Sequence, residues 1–264
     1  MKCSAIFTDR NKGWIMDETN KDELIIGTES FSSRFFLGSG KTSRYTRELI
    51  NSAIEYAGVE MISVAVRMLD TPANPLEMIP KGVKILSNTL GAHTAEEAIA
   101  MAFTAREKGL GNRVKVEIMN EGPYLLPDAP ATVEATKVLV REGFTVLPYF
   151  YPELRTGRQL FEAGAAALMP LASPSGSSKG LQTRDFIEDL IREIPLPIIV
   201  DAGIGRPSQA CEAMELGCAG IMANTALATA DDLGLMAEAF RLAIAAGRAG
   251  YLSHRHEFVP VPKP

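Results

Sequence analysis

Short apolar runs recur along the chain, and most are followed by a stretch whose apolar residues fall at helical spacing. Eight of these runs read as strands: RFFLG, MISVAV, VKILSN, VKVEIM, TVLPYF, AALMPL, PIIVDAG and GIMANT. The segments between them include TSRYTRELINSAIEYAG, TAEEAIAMAFTAREKG, APATVEATKVLVREG and PSQACEAMELG. They are amphipathic, with Ser, Thr or Pro at their starts and Gly at their ends, as helix caps require. The second connection, LDTPANPLEMIPKG, is rich in proline and predicts one irregular unit. Near-continuous apolar strands separated by helices predict a parallel sheet covered on its outer face. Eight β-then-α units therefore predict an α/β protein built as a closed (β/α)8 TIM barrel, with an open doubly wound sheet as the alternative. No Gly-x-Gly-x-x-Gly dinucleotide fingerprint follows the first strand. The segment ELIIGTESFSSR predicts a short N-terminal hairpin at one barrel end. The expected division is a polar, mobile extension over 1–23 and a catalytic barrel over 24–264.

Composition narrows the function classes. A chain of 264 residues that is 46% hydrophobic can bury a large core, and its net charge of -5 argues against a nucleic-acid or anionic-membrane surface. Cys3, Cys211 and Cys218 form no CxxC and have no His at zinc-ligand spacing, so they read as reduced thiols without a disulfide framework or metal site. No apolar run reaches the roughly 18 residues of a membrane span, and the N-terminus lacks the apolar core of a secretory signal. A reducing cytoplasm is the expected location.

Candidate chemistry begins at NRVKVEIMN, residues 112–120. Alternation puts Lys115, Glu117 and Met119 on one face of this strand and Val114, Val116 and Ile118 on the other. The apolar triplet suits the helix side, so Lys115 and Glu117 point into the barrel near its C-terminal end, where barrel enzymes place their chemistry. Desolvation there favours a neutral amine able to attack a carbonyl and form an imine. A buried Lys–Glu ion pair is the structural alternative. Strand seven, PIIVDAGIG, ends in Asp201, positioned to move protons next to such an imine. The amides of Ala202, Gly203 and Gly205 are unobstructed, and the next helix N-terminus favours an anion. Asn224 and Thr225 end strand eight beside that turn, and the loop LASPSGSSKGLQT adds Gly176 and Lys179. Together these loops fit the phosphate cradle of this barrel class, although each alone also reads as plain turn chemistry. His93 reads as a cap-region residue, and His254 and His256 lack partners for a metal. The residues thus point to a phosphorylated carbonyl substrate held as an imine.

Several longer stretches carry a family resemblance. LSNTLGAHTAEEA, VKVE, EGFTVLPY, MPLASPSGSSKGL, VDAGIGRPSQACEAMELGCAGIMANTA and AGRAGYLSHR closely resemble the bacterial thiazole synthase of thiamine biosynthesis, from about residue 24 to about 255. The resemblance implies a barrel that joins 1-deoxy-D-xylulose 5-phosphate, dehydroglycine (2-iminoacetate) and sulfur into a thiazole phosphate carboxylate. Sulfur would arrive as the C-terminal thiocarboxylate of a ubiquitin-like carrier protein, and a separate enzyme would produce the dehydroglycine. It implies Lys115 as the Schiff-base lysine and Glu117 and Asp201 as the acid/base pair. Gly176, Ala202, Gly203, Asn224 and Thr225 would contact the sugar phosphate, with no metal and no cofactor. A homotetramer or dimer is also implied. The chain departs from the family's usual pattern at Met68 after Arg67, in the loop NEGPYLLPD, in SPSGSSKG and in the tail HEFVPVPKP. The alternatives are a Schiff-base aldolase or isomerase of another sugar phosphate, and a non-catalytic phosphate-binding barrel.

Overall fold

The computed structural model describes residues 22–38, 45–72, 74–119 and 126–253. Residues 1–21 of the expected mobile extension, Cys3, His254, His256 and the C-terminal tail lie outside them. Two short strands, β1 (Leu24–Ile26) and β2 (Glu29–Phe31), pair antiparallel in register Leu24↔Phe31, which is the expected hairpin. Eight parallel strands follow: β3 (Phe35–Leu37), β4 (Met61–Ala65), β5 (Lys84–Asn88), β6 (Arg113–Val116), β7 (Thr145–Phe150), β8 (Met169–Pro170), β9 (Ile199–Asp201) and β10 (Gly220–Ala223). Each falls on one of the eight runs read from the sequence. Their spatial order is β8-β7-β6-β5-β4-β3-β10-β9. Parallel bridges Leu168↔Ile198 and Leu171↔Asp201 join the two ends, so the sheet closes into the (β/α)8 barrel.

The helices are α1 (Arg47–Ala57), α2 (Ala95–Glu107), α3 (Ala129–Arg141), α4 (Leu154–Glu162), α5 (Arg184–Glu193), α6 (Pro207–Leu216), α7 (Thr225–Ala228) and α8 (Leu233–Ser253). Thr46, Thr94 and Asp128 cap α1, α2 and α3 through side-chain oxygens, and left-handed Gly58 and Gly217 terminate α1 and α6. The proline-rich second connection forms only two 3-10 turns, Val66–Met68 and Pro75–Glu77, as its composition predicts. No helix among the described residues is long and apolar enough to cross a membrane.

Strand alternation sorts the core into two shells. Phe35, Leu37, Ile62, Val200 and Ile221 face outward and pack with Leu49, Ile50, Leu190 and Ala213 of the helices. Inward-facing Phe36, Met61, Leu86, Leu147, Met169, Ile199 and Met222 fill the barrel, and Leu24, Ile26 and Phe31 of the hairpin join them as a plug at the N-terminal end. Charges ring that plug. Asp22 accepts two hydrogen bonds from Arg248, at 2.8 and 2.7 Å, and pairs with Arg34 at 2.9 Å, while Glu29 pairs with Arg113 at 2.6 Å. With apolar residues filling the lower barrel, the polar interior side chains collect at the opposite mouth.

Helices α6 and α8 approach closely at Gly247, where a Cβ would collide with the backbone carbonyl of Cys211 and with Met214. Backbone cannot step aside as a flexible side chain can. Gly247→Ala is therefore expected to destabilise the barrel by about 1–3 kcal/mol. In thermal unfolding that is a fall in Tm of about 2–4 °C per kcal/mol for a chain of this size.

Candidate active site

Lys115 leaves β6 toward the barrel interior while Val114, Val116 and Ile118 pack outward against Ala98, Ala102, Ala135 and Leu139. The strand alternation read from the sequence is thus the one observed. Glu117 follows on the same face, and Asp201 ends β9 across the mouth. The structure brings all three together. Lys115 Nζ lies 2.9 Å from Glu117 Oε2 and 2.5 Å from Asp201 Oδ2, with all three residues at least 93% buried. The ammonium also sits 4.7 Å from the centroid of the Tyr149 ring, a cation–π contact supplied by β7.

The charge state differs from the one expected. Burial does favour a neutral amine, but the Asp201 and Glu117 carboxylates together outweigh it and hold Lys115 above the usual lysine range, as an ammonium. The sequence places both carboxylates at the mouth, and the fold adds their direct contact with the ammonium. Burial lifts the Asp201 carboxyl above the ordinary carboxylate range; Glu117 adds to the lift, while Lys115 opposes it. Asp201 Oδ2 has the ion pair but no well-directed hydrogen bond. Burial, Asp201 and Glu117 also raise the Tyr149 phenol well above its normal value, so it stays protonated.

The backbone after Asp201 is strained. Ala202 has φ +66° and Gly203 φ +79°, two consecutive left-handed residues of which one carries a side chain. A Cβ on Gly203 would fall on Ser173, and the Gly180 N–H donates to Gly203 O at 2.8 Å, so the loop after β8 lies directly on this turn. Gly176 stands in that loop with φ +77°, exposed, inside a turn closed by Ser177 N–H to Pro174 O. Asn224 follows β10, whose Met222 is in register with Asp201, and both polar atoms of its side chain are buried without a hydrogen-bond partner. Thr225 opens the short α7. Among the described residues, no hydrogen bond joins Gly176 or Thr225 to the three charged groups.

One expected anion donor is already committed. Gly205 N–H donates to Gln209 Oε1 at 2.8 Å, and Arg206 N–H to the same oxygen at 3.1 Å. The α6 N-terminus thus satisfies these donors internally. His93 is exposed at the start of α2, where its N–H donates to Glu97 at 2.8 Å, in keeping with a cap-region role. Cys218 is buried and its thiol is pushed up to about 12. No cluster of metal-ligating side chains occurs among the described residues.

Two residues went unnoticed in the sequence as site groups. Asn88 Nδ2 donates to Glu117 Oε2 at 2.9 Å. The Thr89 hydroxyl accepts from Glu117 N–H at 2.8 Å and donates to Glu117 O at 3.1 Å. The signal was available, since polar Asn and Thr closing the apolar run KILSNT break the pattern just as Lys115 and Glu117 do.

Replacing Lys115 tests the electrostatics. Lys115→Met leaves two buried carboxylates facing each other, and loss of the cation is expected to cost about 3–5 kcal/mol at pH 8. The Asp201 carboxyl, lifted by burial and by Glu117, then loses the lysine that opposes the lift, so the folded state binds more protons than the unfolded one and the deficit shrinks as pH falls from 8 toward 5. Wild-type protein has the opposite alkaline signature. The contribution of Lys115 is complete below its unfolded value of 10.5 and is lost as pH rises through its higher folded value. Thermal melts of both proteins across pH check the two trends.

Comparison with known proteins identifies the family. A family model described as thiazole biosynthesis protein ThiG matches residues 25–261. A thiazole synthase of Clostridium beijerinckii is 57% identical over 235 residues, covering 88% of this chain and 91% of its own length. One of Fusobacterium nucleatum is 54% identical over 88% of this chain and 90% of its own. Among solved structures, the Amycolatopsis orientalis BexX/CysO complex contains a chain 32% identical with TM-score 0.78, covering 91% of this chain and 98% of that one. The barrel with its buried Lys115, Glu117 and Asp201 therefore belongs to the ThiG family of thiazole biosynthesis proteins, and it is a thiazole synthase.

Proposed function

We propose that this synthase joins 1-deoxy-D-xylulose 5-phosphate, dehydroglycine and sulfur into the thiazole phosphate carboxylate through an imine on Lys115. The observation that carries this reading is the buried Lys115 held between Glu117 and Asp201 at the C-terminal mouth of the barrel. A lysine there is useful only if it loses its proton when the substrate arrives, and the two carboxylates are the acceptors within reach. The imine acidifies the neighbouring carbon, a carboxylate removes that proton, and the carbonyl function migrates to where sulfur attacks.

Ala202, Gly203, Asn224, Thr225 and Gly176 form the sugar-phosphate contacts in this reading. The Asn224 amide, buried without a hydrogen-bond partner among the described residues, and the left-handed turn at Ala202 and Gly203 support it, since a buried unpaired amide and a strained turn are costs that a bound polar ligand would justify. Sulfur comes from a carrier-protein thiocarboxylate, and a separate enzyme supplies the dehydroglycine. The likeness to BexX, solved as a complex with CysO, supports a protein partner at this barrel. The reading includes a cytoplasmic, homo-oligomeric enzyme that needs no metal or organic cofactor.

The ion pairing itself favours a second reading, in which Lys115 only stabilises the barrel and the protein binds without imine chemistry. Borohydride separates the two. Incubation with 1-deoxy-D-xylulose 5-phosphate and borohydride is expected to add one reduced sugar phosphate to the peptide containing Lys115, seen by intact mass and peptide mapping and abolished in Lys115→Ala. A sugar phosphate that binds without any trapped adduct would sink the imine. Ring formation that requires the thiocarboxylate then separates a synthase from an aldolase.

A further inference from the structure

Glu117 and Asp201 both touch the Lys115 ammonium, yet their surroundings differ. Glu117 Oε2 takes the 2.9 Å contact from Lys115 and a second, neutral hydrogen bond from Asn88 Nδ2, also at 2.9 Å. The Asn88 amide cannot turn over, because its Oδ1 accepts from Leu90 N–H at 2.9 Å and thereby points Nδ2 at the carboxylate. Glu117 lies just beyond the last residue of β6, where the ladder to β5 has ended at Asn88↔Lys115. Thr89 completes the pairing with its hydroxyl, accepting from Glu117 N–H and donating to Glu117 O. Asn88 and Thr89 are both buried, at 3% and 0% exposure. Among the described residues Asp201 has no such side-chain donor: its Oδ2 makes the lysine contact, and the adjacent Ala202 N–H donates to the carboxylate.

We propose that Asn88 and Thr89 are positioning residues that hold Glu117 aimed as the base of the reaction, leaving Asp201 to carry the proton that Lys115 gives up. The inference rests on the imine reading above. Glu117 has a fixed side-chain donor besides the lysine, whereas Asp201 has the adjacent Ala202 N–H, and burial and Glu117 lift its carboxyl, so Asp201 is the easier to protonate. Among the described residues, the other ionisable groups facing this pair are Lys115 itself and Tyr149 from β7.

The steps balance as follows from that assignment. Lys115 hands a proton to Asp201, and its freed lone pair forms a C–N bond to the ketone carbon while the carbonyl π pair moves to oxygen. Asp201 returns that proton to the oxygen and then relays a second one from nitrogen, so that water leaves, C=N forms as an iminium and Asp201 ends ionised. Glu117 then removes the proton from the adjacent carbon. The C–H pair becomes a C=C bond, and the iminium π pair returns to nitrogen.

Separating these steps is the test, using 1-deoxy-D-xylulose 5-phosphate alone, without sulfur donor. Imine formation is read by borohydride trapping, and the Glu117 step by deuterium uptake at the adjacent carbon of the sugar in D2O. Asn88→Ala is expected to trap an adduct within about threefold of wild type while exchange falls about 100-fold. Thr89→Val loses exchange in the same way, and Thr89→Ser, which keeps the hydroxyl, restores it. Should Asn88→Ala lose its cooperative melt, Asn88→Asp keeps the volume and the acceptor for Leu90 N–H, removes the donor when ionised, and carries the same expectation at pH 8. Unchanged exchange would overturn the inference, as would trapping and exchange falling in parallel. No adduct in wild-type protein would overturn the imine reading and this inference with it, whereas an adduct with normal exchange in Asn88→Ala would overturn this inference alone.

Discussion

An ammonium buried between two carboxylates is the interaction on which the rest of this structure turns. Lys115, Glu117 and Asp201 come from two strands on different sides of the barrel, β6 and β9, and each would be costly to bury without the others. Closure of the barrel is what makes their meeting possible, since the Leu171↔Asp201 bridge that joins β8 to β9 also sets the position of Asp201. The apolar filling below them, from Phe36, Leu86, Leu147 and Met222, removes water from one side of the cluster and leaves access from the mouth. Low dielectric strengthens the ion pairs in the resting protein. It also makes neutralisation of any one member, as imine formation requires, a redistribution of protons within the cluster.

The mouth is built from backbone that is expensive to hold. Ala202 adopts a left-handed conformation that an alanine does not favour, and Gly203 beside it has no room for a side chain against Ser173. Such strain persists only where the surroundings enforce it. Here the loop after β8 packs onto the turn through Gly180 N–H to Gly203 O, so two loops fix one another. Asn224, with an amide buried and unsatisfied, adds a second cost on the neighbouring strand. Two unrelieved costs side by side are what a site kept ready for a polar ligand looks like.

Much of this was legible from residue order. Alternation in VKVEIM separates Val114, Val116 and Ile118 from Lys115 and Glu117, and the helices do cover the first set. The proline-rich LDTPANPLEMIPKG does fail to make a regular helix. Asn88 and Thr89 were harder to see as site residues because they carry no charge. Their importance lies in whom they touch across β5 and β6, and a one-dimensional pattern does not record touching. The Gly205 amide shows the converse: glycine after a strand reads as a free donor until Gln209 is seen to occupy it.

The eight strand-and-helix units, the face on which Lys115 and Glu117 lie and the family likeness follow from residue order, because periodicity, capping and local spacing are properties of neighbours in the chain. The charge state of Lys115 depends on the closed barrel. Local spacing places Glu117 two residues away and suggests a desolvated amine, but closure brings Asp201 from 86 positions further along to the same nitrogen. Two anions against one cation reverse the direction in which burial alone would drive the proton.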